Sequence, residues 1–217
     1  METLARLVTS SIGRKLLVAA VGFLLCGFLM THLAGNMFLF VGEKAFNTYA
    51  RVLESNPFLL PIELALLGVI LLHAVVALYL NLTSLAARPV GYAMKRSRGG
   101  RTWGSATMVY TAVLIGVFLV IHVKTFKYGV RPSPEDLYGL VMSYLQDWRW
   151  ALFYAVVMAG LGLHLSHGAW SATQTFGIDH PKYTPLIKGA GLAFAVVVAA
   201  VFTAIPIWAC WFLGGAR

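Results

Sequence analysis

Histidine is the residue type in this chain with the clearest chemical potential. The sequence carries six. Four fall singly within four long apolar stretches: His32, His73, His122 and His164, the last followed one turn later by His167. An ionisable side chain in such a stretch is costly and marks function by default. A neutral imidazole binds metal through either ring nitrogen, relays protons, or hydrogen-bonds between helices. The spacing discriminates among these roles. His32 to His73 is 41 residues and His122 to His164 is 42, so the first four stretches read as two similar hairpins. If successive stretches cross a membrane in alternate directions, His32 and His122 lie in an outer layer. His73 and His164 lie in an inner layer, roughly 10 Å away at about 1.5 Å of rise per residue.

Two layers of two imidazoles suit two bis-histidine haems, because iron porphyrin takes axial ligands from opposite faces and helices facing each other across a bundle can supply them. Zinc would gather its ligands into one tetrahedron. A proton path would mix carboxylates with histidines, and the sole acid in an apolar stretch is Glu63, near a helix start. Gly35, one turn after His32, and Gly160 and Gly168, on either side of His164, are expected to leave room for the macrocycle. His167 is a candidate either to ligate in place of His164 or to hydrogen-bond at the haem edge. His180, before Pro181, reads as a solvated loop residue.

The elements that must hold these histidines follow from composition. Of 217 residues, 59% are hydrophobic and 12% charged, with a mean hydropathy of +0.76. A soluble domain carries about 25% charged residues and could not bury so much apolar surface at this size. A helix needs about 20 apolar residues to cross a bilayer. Five stretches qualify, at about residues 16–40, 58–87, 106–127, 150–172 and 187–212. The expected fold is an all-α membrane protein of one domain, residues 1–217, whose first four helices form the haem-binding bundle. The first apolar run is too long for a cleaved signal and lacks a small-residue cleavage pattern.

Charge sets the expected orientation. One side, with the N-terminus and the 2–3 and 4–5 loops, holds ten basic residues against Glu2 and Asp179; the other holds seven basic against six acidic. By the positive-inside rule the N-terminus is cytoplasmic and the C-terminus outside. The net charge of +9 is thereby explained without nucleic acid, for which no aromatic-interleaved basic patch exists. Cys26 and Cys210 lie inside spans and are too few for an iron–sulfur cluster, which needs four thiolates. Dinucleotide fingerprint, P-loop and HExxH motifs are absent, so soluble redox or hydrolytic catalysis is not expected of this chain on its own.

Several segments resemble one family. They are Thr31-His32-Leu33-Ala34-Gly35-Asn36, Leu72-His73-Ala74-Val75, Ile121-His122-Val123, and Leu163-His164-Leu165-Ser166-His167-Gly168-Ala169-Trp170-Ser171 continued by Gln174-Thr175-Phe176-Gly177. With Gly42-Glu43-Lys44-Ala45-Phe46-Asn47, they are similar to the cytochrome b subunit of succinate dehydrogenase and fumarate reductase, in the class with a single membrane polypeptide and two haems b. The resemblance covers nearly the whole chain. It implies that His32 and His122 hold a distal haem and His73 and His164 a proximal one, with His167 beside the latter. It implies an iron–sulfur subunit and a flavoprotein subunit as partners on the cytoplasmic face of a prokaryotic inner membrane. Electrons would pass between them and a membrane quinone, menaquinone by this resemblance.

Glu43, with Phe46 and Asn47, is the expected quinone site near the outer haem, because a carboxylate in reach suits a reaction in which electrons move with protons. Ser11, Arg14 and Lys15 are placed for the inner haem's propionates, Lys124 and Arg131 for the outer one's. The basic residues Arg96, Arg98, Arg101, Lys182 and Lys188 are candidates for docking the iron–sulfur subunit. Some fumarate-reducing members carry a Glu two residues before the fourth ligand, serving a proton path. Gly162 stands there instead, so no such path is expected at that position. The competing expectations are the cytochrome b subunit of a nitrate reductase or hydrogenase, and a small transporter with histidines in its path. A transporter would interrupt its helices at mid-membrane, and Pro206 is the only interior proline of note.

Overall fold

The structure, a computed structural model, describes residues 9–87 and 102–213. Arg6, Arg88, Lys95, Arg96, Arg98 and Arg101, which carry much of the expected charge asymmetry, lie outside the described residues, as does Glu2. Regular structure among the described residues is helical throughout. Five helices are long and apolar enough to cross a membrane. The first is α1 (Ser11–Asn36) continued by the short α2 (Phe38–Val41). The others are α4 (Leu59–Ala86), α5 (Trp103–Phe126), α7 (Trp148–Thr175) and α8 (Thr184–Trp208), which ends in a π-helical turn, Ala209–Leu213. Two further helices, α3 (Glu43–Glu54) and α6 (Leu137–Leu145), occupy segments expected to be loops.

Local chemistry sets these boundaries. Ser10 caps α1, its Oγ accepting from the Gly13 N–H at 3.0 Å. Thr102 and Ser105 form a reciprocal capping box on α5, which satisfies two of the helix's orphan donors. Asp136 and Asp147 cap α6 and α7 through the Gly139 and Arg149 N–H groups. Gly42, at φ 121°, makes the turn from α2 into α3 in a backbone region closed to other residues. Gly177, at φ 75°, ends α7, with the Ile178 N–H reaching back to the Thr173 carbonyl. Pro206 lacks the N–H that would continue the helical ladder, and the α-helix gives way to the π-helical turn three residues later.

The spans run in alternate directions. At one end, called here the near end, Arg14 of α1 lies over Tyr79 of α4, and Lys188 of α8 over Trp170 of α7. At the far end Lys127 of α5 pairs with Glu63 of α4, and Phe40 of α2 packs on Trp208 of α8. The central helix is α7, packed along α8, α5 and α1. Small residues allow these close approaches, as is usual between membrane helices. A Cβ on Gly160 would meet Leu114 of α5 at 2.8 Å, and one on Gly162 would meet Ala199 of α8 at 2.8 Å. By contrast α4 has no buried residue, and its only extensive contact is with α1.

α3 and α6 lie together across the far end. Asn47 of α3 joins them: its Nδ2 donates to Asp136 Oδ1 at 3.1 Å, and its Oδ1 accepts from the Tyr138 N–H at 2.8 Å. Phe46 is buried beneath, edge-on to Tyr138. Arg51–Glu135 and Arg131–Glu54 ion pairs bind the same two segments at the rim.

Candidate haem site: two histidine pairs

Each layer draws one histidine from the first hairpin and one from the second. His32 of α1 meets His122 of α5, ring centroids 5.8 Å apart and planes at 87°. His73 of α4 meets His164 of α7 at 6.5 Å and 66°. A ligating imidazole nitrogen sits about 2 Å from its metal, so two ligands on opposite sides of one ion hold their ring centroids about 6 Å apart. Both pairs are at that separation. Among the described residues no three His, Cys, Asp or Glu side chains gather to hold an ion; the donor set comes in twos.

The spacing between layers can be read along three helices. His73 lies over Gly22 of α1, 3.4 Å from where a Cβ would stand, and Gly22 is ten residues before His32. Thr111 of α5 touches His164 and is eleven residues before His122. Tyr154 of α7 touches His122 and is ten residues before His164. At about 1.5 Å per residue each gives about 15 Å. The sequence expectation of roughly 10 Å is shorter, because it measured depth from assumed helix ends, and α1 and α5, which carry the outer pair, start earlier than assumed.

The rings are oriented by their surroundings. Tyr154 Oη lies 3.2 Å from His122 Nδ1, and Thr111 Oγ1 lies 3.3 Å from His164 Nδ1. Thr111 directs its own proton to the Thr107 or Met108 carbonyl, so toward His164 it can only accept. With its Nδ1 engaged as a donor, His164 keeps on Nε2 the lone pair a metal requires; His122 does the same in the tautomer in which Tyr154 accepts. The His73 Nδ1 is buried without a hydrogen-bond partner. Phe28 and Phe202 flank His32, and Phe118 and Phe126 flank His122, so the far layer is enclosed by aromatic rings. The donor type and the ring separation of each pair fit bis-imidazole ligation of one metal ion. Tyr154 and Thr111 were not singled out in the sequence. A hydroxyl ten or eleven residues from a histidine on the neighbouring helix leaves no periodic signal without the pairing.

The other expected residues divide. His164, not His167, makes the ring contact with His73. His167 meets Trp170 edge-on at 6.3 Å, and its buried Nδ1 has no hydrogen-bond partner. Ser11 and Lys15 are exposed at the start of α1. Arg14 donates to the Thr9 carbonyl at 2.9 Å and covers Tyr79, two turns before the level of His73. Lys124 is exposed two residues past His122. Arg131 departs from its expected propionate role. It grips Glu54 with both terminal nitrogens and donates to the Pro134 carbonyl, and the Glu54 carboxylate holds its basicity above the usual guanidinium value.

Phe46 is buried in the α3–α6 seam and Asn47 is hydrogen-bonded to Asp136 and Tyr138, so neither lines the groove beside Glu43. Gly35 makes room not for a macrocycle but for Tyr49, whose ring carbons would lie 2.8 Å from a Cβ there. Gly160 is taken up by Leu114; Gly168 has nothing within 4 Å of a Cβ position. Glu43 is exposed in the first turn of α3 and lines an open apolar groove of about 790 Å³ with Phe38, Val41, Thr48 and Tyr49. Burial, and after it the Glu43 carboxylate, push the Tyr138 phenol up from its ordinary pKa. Phe38 stacks on Tyr49 at 5.1 Å within the groove. Neither was anticipated, because the helical spacing of Tyr49 shows only once α3 is known to be a helix.

Fold and site together define an all-helical protein with five membrane-length spans and two interior imidazole pairs at different depths. A curated protein of similar sequence bears on what such a molecule does. Over 156 residues, 70% of this chain and 72% of the relative, the chain is 27% identical to the succinate dehydrogenase cytochrome b558 subunit of Bacillus subtilis (strain 168). No protein-family model matches the chain, and no solved structure matches it.

Proposed function

We propose that the chain is the di-haem b membrane anchor of a succinate:quinone or quinol:fumarate oxidoreductase. The observation that carries this is the two interhelical histidine pairs, at 5.8 and 6.5 Å, in layers about 15 Å apart. His32 and His122 would hold the distal haem, His73 and His164 the proximal one. Haem b supplies a reversible one-electron centre in each layer. The protein's part is to hold four imidazoles as neutral ligands, to exclude water with Phe28, Phe118, Phe126 and Phe202, and to place cations near the edges. Arg14 and Lys15, with Ser11 beside them, stand at the near end and would supply donors for the inner haem's propionates; Lys124 would supply one for the outer haem's.

The near end faces the cytoplasm, as the basic residues of the N-terminus and the 2–3 and 4–5 loops direct, in the inner membrane of a prokaryote. There an iron–sulfur subunit docks and a flavoprotein subunit interconverts succinate and fumarate. Lys182 and Lys188 lie on that face, each against an aromatic ring. Quinone, menaquinone by the resemblance, exchanges at the far end in the groove beside Glu43, whose carboxylate takes or gives the proton. Gly162 faces Ala199 of α8 too closely for any side chain, so a compensating proton path does not run through that position.

A pyridine haemochrome assay on the purified protein tests the proposal. About two haems b per chain are expected, and none would refute it. His122→Ala is expected to remove the outer haem and spare the inner. Equal loss of both would refute the pairing. Mass spectrometry of the co-purified complex should find an iron–sulfur and a flavoprotein subunit; a molybdenum or nickel–iron partner would point to a nitrate reductase or hydrogenase instead.

A further inference from the structure

The two layers are supported differently. In the near layer, the hydroxyl on the ligand is an aliphatic alcohol fixed to its own helix: Thr111 Oγ1, bonded to the Thr107 and Met108 carbonyls. In the far layer it is a buried phenol, Tyr154, 6% exposed, at 3.2 Å from His122 Nδ1. Tyr154 is held by the rings around it. Phe118 lies edge-on at 5.0 Å, Phe153 at 5.8 Å and Phe126 at 6.1 Å. Its hydroxyl therefore has little freedom to leave the imidazole.

We propose that Tyr154 is a positioning residue for the distal haem, acting through His122: its hydroxyl oxygen accepts a hydrogen bond from the Nδ1–H of the ligating tautomer, fixes the ring plane, and lowers the potential of that haem relative to a version without it. This rests on the haem-anchor function above. The physical ground is general. A ligating imidazole that donates its second N–H becomes a stronger electron donor, and such outer partners commonly tune affinity and potential. A stronger donor favours ferric over ferrous iron. Tyr154 sits on α7, the helix that supplies His164 to the other layer, so one rigid element orients a ligand in both layers.

The test uses the complete membrane complex with wild-type chain, Tyr154→Phe, Tyr154→Gln and Thr111→Val. Haem content is measured by pyridine haemochrome, potentials by spectroelectrochemical titration, and ligand-plane geometry by low-temperature EPR of the ferric haems. Tyr154→Phe keeps the ring and removes the acceptor. The expected result is two haems retained, an upward shift in the potential of the distal haem and a changed EPR signal from that haem alone. Thr111→Val should alter the proximal haem alone.

Unchanged potentials and spectra in Tyr154→Phe, or equal shifts in both haems, would overturn the proposal. If Tyr154→Phe weakens distal-haem binding by about tenfold or more, Tyr154→Gln decides: recovery with the amide acceptor supports it, and loss in both variants reduces Tyr154 to packing and overturns it. Absence of haem from the wild-type complex would overturn the functional proposal first and this one with it. A haem-replete wild type with an indifferent Tyr154 overturns this one alone.

Discussion

At the scale of single residues, pairing across the bundle sets four interior histidines apart from His167: each of the four meets another imidazole, whereas His167 meets Trp170. An imidazole whose Nδ1–H is taken by a hydroxyl presents a bare Nε2, and both α5/α7 histidines of the pairs have such a hydroxyl at 3.2–3.3 Å. The four paired histidines were legible from the sequence because each is a polar residue alone in an apolar run. What else Phe46, Asn47 and Arg131 touch was not legible: the first packs on Tyr138, the second bonds to Asp136 and Tyr138, and the third pairs with Glu54, contacts that exist only once the fold is formed. Glu43 is different, being exposed beside an apolar groove. Glu43→Gln keeps the size and removes the titrating proton. Quinone turnover of the complex should fall at least tenfold, in line with the loss of a positioned acid–base group, with both haems and succinate–dye activity retained. A steady-state quinone assay beside the dye assay checks this; unchanged quinone turnover would move the site away from Glu43.

At the scale of elements, the spans were legible and the cap was not. Apolar length alone marks a membrane helix, and the five expected ranges overlap the five observed spans. The misplaced ends, such as α7 running on to Thr175 and α5 starting at Trp103, fall where polar caps and amphipathic turns dilute hydropathy. α3 and α6 escaped notice because one is strongly charged and the other is only nine residues long. They depend on each other through Asn47. Asn47→Ala removes two hydrogen bonds and leaves the Tyr138 N–H and Asp136 without that partner, which costs about 1–3 kcal/mol. The expected outcome is a lower unfolding temperature, read by thermal release of the distal haem, with the proximal haem's release little changed. Parallel release of both haems would mean that the cap is not a local unit.

At the scale of the whole molecule, the histidines do not follow the hairpins. Each pair crosses from α1 or α4 to α5 or α7, so both haems would bridge the two halves of the chain. The direct protein contact between the halves is led by α1 against α7, while α4 reaches the second half through little more than its Glu63–Lys127 pair and the His73 ring. On the proposed function, loading the cofactor would then be an act of cross-linking as well as of redox chemistry, two rivets through two plates. A chain severed between residues 88 and 101 should illustrate it. The halves, co-expressed, are expected to co-purify from haem-replete membranes and to separate when haem synthesis is blocked. His73→Ala together with His122→Ala should separate them even with haem abundant. Mechanical integrity in this protein would thus be a property conferred by its electron carriers.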